Sequence, residues 1–494
     1  MRPLLMVALC VACSGTAAPA DAGRDAERAP VDAPADAPAD AGPRSCTTRC
    51  PSGLVCASEG VAELAPEPGD DPVCTAPIDV IGRSAPTWRW RAGGRPLGAR
   101  TCISQGFAPG LSPERRARQL ELLRAAGIHT LRLDFPWAQV EPERGRFELE
   151  AWDAMVDDAL AEHFEVIAIL AYGSPWAGPD LWGPPDDVAD FAHYAAILAA
   201  RYGERLSGYE IWNEPNAGYR FWRPSLHGDA ATYAAMLAES AAAIHATCER
   251  CAVLSGGLFF HAQVINGALE FTHDVLTARP DALAGVARLG FHPYPLYPPV
   301  DDPDLDSETV RSIGGMVDDM QRILALHDVP ELPVVFTELG WPVAGSVDEA
   351  RQASLLSRAF VLSASLGVDP ICWFNLADGP RHGTFPPEDD FGLYRYPSDE
   401  PPAAVDPKPA RDALAWIAAV GAEAVPAGPH EGWHDETHGV FALDFDTPRG
   451  TLTVAWARSP TTVSRDETRT VTDHFGRPVT WTGQLGRDPL FLVP

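Results

Sequence analysis

The stretch GYEIWNEPN, residues 208–216, is apolar and β-prone through Trp212 and then stops at Asn213-Glu214-Pro215. Proline has no N–H to give a sheet ladder, so Pro215 ends the strand. The strand therefore delivers an amide and a carboxylate at its C-terminal end. Seven other runs share this character: ARTCISQ (99–105), HTLRLDF (129–135), EVIAILAY (165–172), CAVLSGG (251–257), ARLGFHPY (287–294), PVVFTELG (333–340) and PICWFNL (370–376). Helical patterns lie between them. SPERRARQLELLRAAG (112–127) has Ser112 at its N-cap, Pro113 at its first turn and Gly127 just past its end. SVDEARQASLLSRAFVLSASLG (346–367) reads as starting on a Ser346/Glu349 capping box and stopping at Gly367.

Short strands alternating with helices indicate βα units and a parallel sheet. Eight of them indicate closure, which gives an α/β fold: a (β/α)8 TIM barrel over residues 86–420. An open doubly wound sheet is the alternative, but no GxGxxG or Walker loop follows the first strand. Beyond residue 420 the period changes to two. FALDF (441–445) and TLTVAW (451–456) alternate around the turn DTPRG, which predicts a hairpin in a small C-terminal antiparallel β domain, residues 421–494. Core packing is the plainer account of its Phe441 and Trp456, and sugar binding by exposed aromatics the sharper one.

The N-terminal residues are of different composition. MRPLLMVALCVACSG has a basic start, a short apolar run and small residues, which predicts an export signal over residues 1–20. CVAC resembles a lipobox, so two readings stay open: a lipidated Cys13 tethering the protein to a membrane surface, or a cleaved soluble signal. Residues 21–45 are Ala, Pro and Asp with almost no large apolar side chains, and predict a disordered linker. Cys46, Cys50, Cys56 and Cys74 predict a cysteine-rich disulfide module, residues 46–85, with three connectivities open. A zinc knuckle is the weaker reading, since no histidine lies nearby. CERC (248–251) precedes a strand, the reverse of a redox CxxC, and reads as a local disulfide. Cys102 and Cys372 fall on the first and last strands; their pairing depends on side-chain direction, which the sequence does not show.

The net charge of −30 excludes phosphate-backbone binding and docking on anionic lipid, both of which need surplus Lys and Arg. In such a barrel, functional groups project from the C-terminal ends of the strands. Glu214 ends the fourth strand and Glu338, in Thr337-Glu338-Leu339-Gly340-Trp341, ends the seventh. A carboxylate buried without a partner costs several kcal/mol, about 1–3 by mutational scales and more for a charge, so two at one rim indicate a site. Two acids facing one cavity are the minimum equipment for glycosidic cleavage.

WNEPN, FHPYP, FTELGWP and CWFNLADG, in this order on successive strands, resemble the clan A glycoside hydrolases, retaining barrel enzymes that include families 5 and 39. FPWAQVEPERGRFELEAWDAMVDDALAE after the second strand, and DDFGLYR with DPKPARDALAWI after the eighth, extend the likeness over about residues 100–420. The resemblance implies Glu214 as acid/base and Glu338 as nucleophile. It implies Asn213 as the partner of the sugar 2-hydroxyl, Tyr294 as a hydroxyl donor to the nucleophile, and His292 as a neighbour of the acid/base. Arg132 resembles the second-strand arginine that lowers the nucleophile's pKa; a salt bridge inside the barrel, with Asp134, is compatible with that role. Trp373 resembles the aromatic floor beneath the sugar, and Trp137 and Trp341, like Trp176, stand at strand ends where further subsites would lie. Where family 5 offers a histidine at the third strand, this chain has Tyr172, which tilts the likeness toward family 39.

The expectation is an exported, monomeric retaining glycosidase acting on a β-linked oligo- or polysaccharide by double displacement. No metal and no nucleotide cofactor are implied, and no nucleic acid partner. A non-catalytic carbohydrate-binding barrel and a transglycosylase using the same site are the alternatives.

Overall fold

The computed structural model describes residues 88–225, 228–260, 267–294, 303–305, 311–379, 388–395, 406–464 and 468–494, with the antiparallel pair Val55–Cys56 and Cys74–Thr75. The export signal, Cys13, the linker and the rest of the cysteine-rich module lie outside the described residues.

Each of the eight runs forms a strand: β1 Thr101–Ser104, β2 Thr130–Pro136, β3 Glu165–Ala171, β4 Gly208–Asn213, β5 Val253–Phe259, β6 Leu289–His292, β7 Val334–Leu339 and β8 Ile371–Phe374. They close into a parallel barrel in the order β8-β1-β2-β3-β4-β5-β6-β7. The long helices between and after them are α1 Pro113–Ala125, α2 Glu150–Ala161, α3 Val188–Tyr202, α4 Ala230–Thr247, α5 Ala268–Ala278, α6 Ile313–Leu326, α7 Glu349–Ser365 and α8 Pro409–Val420. Among the described residues no helix is long and apolar enough to cross a membrane. Ile167, Leu254 and Val335, from β3, β5 and β7, form a buried cluster apart from the main core. Layers drawn from alternate strands are how the interior of such a barrel is filled.

The start of α1 is as the sequence indicates, with the Ser112 side chain accepting from the Arg115 N–H. The start of α7 is not. Asp348 is the N-cap, accepting from the Arg351 N–H at 2.8 Å, and Ser346 lies outside the helix. A carboxylate at the N-cap also meets the positive end of the helix dipole, which a serine does not.

The first and last strands are in register at Cys372 and Cys102, and the two are joined by a disulfide across 270 residues of sequence. The direction of these side chains, open in the sequence, is thereby fixed: both project to one side of the β8–β1 seam. Cys248 and Cys251 also form a disulfide, at the end of α4. Replacing Cys102 and Cys372 together by alanine is expected to lower stability by about 2–5 kcal/mol, because the bond shortens a very long loop in the unfolded chain. Urea unfolding with and without the pair checks this, and an unchanged midpoint would contradict it.

The C-terminal residues form a five-stranded antiparallel sheet. Its strands are β9 Val425–Pro429, β10 Val440–Thr447, β11 Gly450–Ala457, β12 Thr470–Thr472 and β13 Leu490–Val493, in the order β9-β10-β11-β13-β12. The alternation read in the sequence divides the two faces. Phe441, Leu443, Phe445, Leu452, Val454 and Trp456 join the barrel core. Ala442, Ala455, Val471, Trp481 and Leu492 belong to a second cluster on the other face. Phe441 and Trp456 are thus packing residues. At the junction Asp304 accepts hydrogen bonds from Arg358 of α7 and from the Trp456 indole, with all three side chains buried.

Candidate active site

A plain strand would send Asn213 and Glu214 to opposite faces of the sheet. Two residues of left-handed backbone prevent this: Trp212 has φ 74° and Glu214 φ 44°. Such conformations cost non-glycine residues roughly 1–3 kcal/mol each and persist only where the surroundings enforce them. Here both side chains are brought to one centre. The Asn213 carbonyl oxygen accepts from Arg132 at 2.9 Å, and Glu214 Oε1 lies 2.8 Å from His292 Nδ1.

Arg132 on β2 is the hub. Its Nε and Nη2 donate to the two oxygens of Glu210 at 2.6 and 3.0 Å. Its Nη1 donates to Glu338 at 2.8 Å and to Ser104 at 3.0 Å. Because arginine only donates, Asn213 must turn its oxygen toward Arg132, and the amide NH2 faces away. The bridge proposed with Asp134 is not formed. Glu210, two strands further round and in the middle of β4, takes the guanidinium instead. Burial pushes the Asp134 carboxyl up to about 6 against the pull of Arg132, and the negative charges of Glu338 and Glu210 add to the rise.

Glu338 on β7 also accepts the Tyr294 hydroxyl at 2.8 Å. Burial works against its ionisation. The charge His292 carries when protonated, the charge of Arg132, the Tyr294 hydroxyl and Arg220 outweigh this and hold the carboxyl below its ordinary value. Burial and the negative charges of Glu338 and Glu214 keep the proton on Tyr294, whose pKa lies well above that of a free phenol. Arg132 and the Tyr294 hydroxyl bond Glu338 and not Glu214, whose hydrogen-bond partner is His292. One donor atom from each of Glu214, His292 and Glu338 lies within 4.8 Å of the others. These three are of metal-ligating type, yet Arg132, Tyr294 and Thr337 already engage Glu338 and His292.

Glu214, Glu338, Asn213, Arg132, His292 and Tyr294 therefore meet at one place, Arg132 reaching it from within β2 and the others from the C-terminal ends of β4, β6 and β7. The three tryptophans do not join them. Trp137 is enclosed by Trp176, Phe191 and Tyr194, with its N–H on Glu141. Trp341 and Trp373 pack on each other with ring centroids 6.3 Å apart, and Trp373 gives its N–H to the Phe391 carbonyl. All three are 0% exposed and offer no face to a ligand in this structure. The half-buried aromatics beside the carboxylates are different ones. Tyr172 stacks on Phe221 at 5.5 Å and lies 4.6 Å from Trp182. Its ring also lies 5.8 Å from that of Trp212, next to Asn213 in the chain, and burial, followed by the charges of Asp134, Glu338 and Glu214 against Arg132, pushes its hydroxyl well above the ordinary pKa.

Sequence reading missed Glu210, Thr337, Ser104 and Gly257. Glu210 carried a signal: a carboxylate inside an otherwise apolar strand needs a buried cation, and Arg132 was the candidate. Gly257 carried none. A Cβ there would stand 2.0 Å from His292 Nε2 and 2.6 Å from Thr337 Oγ1, so only glycine lets those two groups meet.

No protein-family model matches the chain, and no curated protein matches it. Solved structures do. A family 39 glycoside hydrolase from the gut symbiont Bacteroides cellulosilyticus WH2 superposes with TM-score 0.64 at 22% identity, covering 81% of each chain. A family 39 β-xylosidase from Caulobacter crescentus gives TM-score 0.54 at 17% identity, over 82% of this chain and 98% of that one. The family 39 enzyme from Xanthomonas axonopodis pv. citri gives 0.53 at 18%, over 77% and 78%. Over some four-fifths of its length, this chain has the fold of the family 39 glycoside hydrolases.

Proposed function

We propose that the protein is a glycoside hydrolase that cleaves a β-linked carbohydrate with retention of configuration, Glu338 acting as nucleophile and Glu214 as acid/base. The observation that carries this is the pair of carboxylates with oxygens no more than 4.8 Å apart, set in unlike surroundings. Retaining enzymes hold their two carboxyl groups about 5–5.5 Å apart, and inverting ones about 6.5–9.5 Å, to seat a water. Glu338, ringed by donors, suits attack on the anomeric carbon. Glu214, bonded to a histidine, suits protonation of the departing oxygen and then removal of a proton from water. Asn213, with its amide NH2 free of Arg132, supplies a donor to the sugar 2-hydroxyl.

The sugar's C–H face would lie on Tyr172, backed by Phe221 and Trp182, in place of the buried indoles. Tyr172→Ala is then expected to raise KM roughly three- to tenfold with kcat little changed, the value of one aromatic contact. An unaltered KM would remove Tyr172 from the binding surface. The β-xylosidase among the similar structures makes aryl β-xylosides the first substrates to try, before a panel of β-linked polysaccharides. Proton NMR of the first-formed product tests the mechanism. A β-anomer appearing first supports retention, and an α-anomer excludes it.

Glu214→Ala provides a separate check. For a glycoside with a poor leaving group kcat/KM should fall about 10²- to 10⁴-fold, the range of general acid catalysis. For a dinitrophenyl glycoside, which needs no proton to depart, it should change little. Equal losses on both substrates would contradict the assignment. Export, and lipid attachment at Cys13, belong to the same reading and rest on the N-terminal sequence alone. Partition of the mature protein with membranes decides the second.

A further inference from the structure

We infer that Glu210, acting through the Thr337 hydroxyl, fixes the tautomer of His292 and thereby keeps the proton of the Glu214–His292 pair on Glu214. The use made of that proton rests on the glycosidase reading; its location does not.

The argument follows hydrogen-bond polarity from one end of the chain to the other. Glu210 accepts from Arg132 twice and from the Gly257 N–H at 2.9 Å, so it is a carboxylate and can only accept. The Thr337 hydroxyl stands 3.0 Å from Glu210 Oε1 and must give it its single hydrogen, in a charge-assisted bond. Toward His292 Nε2, also 3.0 Å away, that hydroxyl has only lone pairs left. Nε2 therefore carries a hydrogen. In the neutral ring Nδ1 is then a bare lone pair, 2.8 Å from Glu214 Oε1. Two acceptors do not approach so closely, so a proton lies between them.

That proton has two places to rest. On nitrogen it would create an imidazolium in a side chain that is 0% exposed, together with a second carboxylate within 4.8 Å of Glu338. On oxygen it leaves both partners neutral and avoids burying two more charges. Glu338, 3.8 Å from Nδ1, pulls toward the imidazolium; with the ring neutral that support is withdrawn, and Arg132, the Tyr294 hydroxyl and Arg220 are what favour its ionised form. Arg132, in contact with Glu338 and Glu210, and the second cation Arg220 answer much of that charge, while Tyr294, Asp134 and Tyr172 bring no further cation. The neutral pair is favoured, and Glu214 rests as the acid.

The arrangement serves both halves of a double displacement. In the first, Glu214 gives its proton to the departing oxygen as the bond from that oxygen to the anomeric carbon breaks and the bond to Glu338 forms. The new Glu214 carboxylate then faces the Nδ1 lone pair, which opposes its charge. It therefore readily takes a proton from the water that releases the sugar, and the starting state returns. Thr337 and Glu210 touch no reacting atom; they are positioning residues.

Neutron diffraction from the deuterated full-length protein near pH 7 reads the arrangement without turnover. Deuterium is expected on Glu214 Oε1 and His292 Nε2, with none on Nδ1; deuterium on Nδ1 overturns the inference. Thr337→Val removes the acceptor for Nε2–H and should turn His292 to the Nδ1–H tautomer, which donates to a Glu214 carboxylate. The alkaline limb of kcat/KM should then move down by about one pH unit, and Thr337→Ser should restore it. A Thr337→Val profile superimposing on the wild type would also overturn the inference. If the valine variant fails to fold, the neutron map and the serine profile decide. If no glycoside is cleaved at all, the glycosidase reading falls while the map still tests the tautomer.

Discussion

Glu338→Gly is expected to lower turnover of an aryl β-glycoside by about 10⁴- to 10⁶-fold, the scale seen when a covalent nucleophile is deleted. The loss is that large because no other group can take the position. Glu338 is held ionised by Arg132 and Tyr294 on its two oxygens. Glu214 is turned to His292. Glycine leaves a hole the size of a small anion beneath the anomeric carbon. Azide added at high concentration should enter it and restore cleavage of a dinitrophenyl β-glycoside, yielding the glycosyl azide of α configuration. A β-azide from this variant, or no rescue on any substrate cleaved by the wild type, would transfer the nucleophile's role elsewhere. The same azide experiment on Glu214→Ala should give the β product, because there the nucleophile is intact and azide replaces water in the second step.

Arg132→Met should have the largest effect on the fold, a loss of about 3–5 kcal/mol, because it strands the Glu210 carboxylate, 0% exposed, with no cation. The size distinguishes a buried charge from an ordinary lost contact, which would give nearer 1 kcal/mol. Urea unfolding measures it. Adding Glu210→Gln to the same protein should recover much of the stability, since removing both charges is far less harmful than removing one. A double variant as unstable as the single one would show that the pair matters through packing alone. Arg132→Met also withdraws a cation from Glu338. Its carboxyl, now held below the ordinary value, should rise, and the acid limb of kcat/KM should move to higher pH. In the wild type the ionised form of Glu338, and the stability it brings, persist as pH falls until that lowered value is reached.

The barrel was legible because each strand is a run of β-prone residues bounded by turn or cap chemistry, a local property. The two carboxylates were legible for a related reason: Pro215 and Gly340 mark strand ends, and a strand end in a parallel barrel has a known place. Contacts between strands were less so. Arg132 was matched to Asp134 because the two are close in sequence, whereas its partner Glu210 comes from β4, two strands away around the barrel. The alternation rule fails at Trp212 and Glu214, whose left-handed backbone no residue type there announces. The tryptophans misled because an indole at a strand end fits a core and a subsite equally well. Trp137, Trp341 and Trp373 went to the core, and a tyrosine noted only as a departure from family 5, Tyr172, is half-buried beside Trp212. At α7 the nearer and better cap, Asp348, displaced the capping box read from Ser346.

The buried trio of Asp304, Arg358 and Trp456 ties a loop, a barrel helix and the terminal sheet through one carboxylate. A chain cut after α8 would keep every group of the cleft yet strip the indole from that carboxylate and lay bare the barrel's apolar flank. The terminal sheet is thus a wall of the barrel's own body: heated, the two parts should melt in one calorimetric peak, and the trimmed barrel should precipitate at a lower temperature than the whole chain.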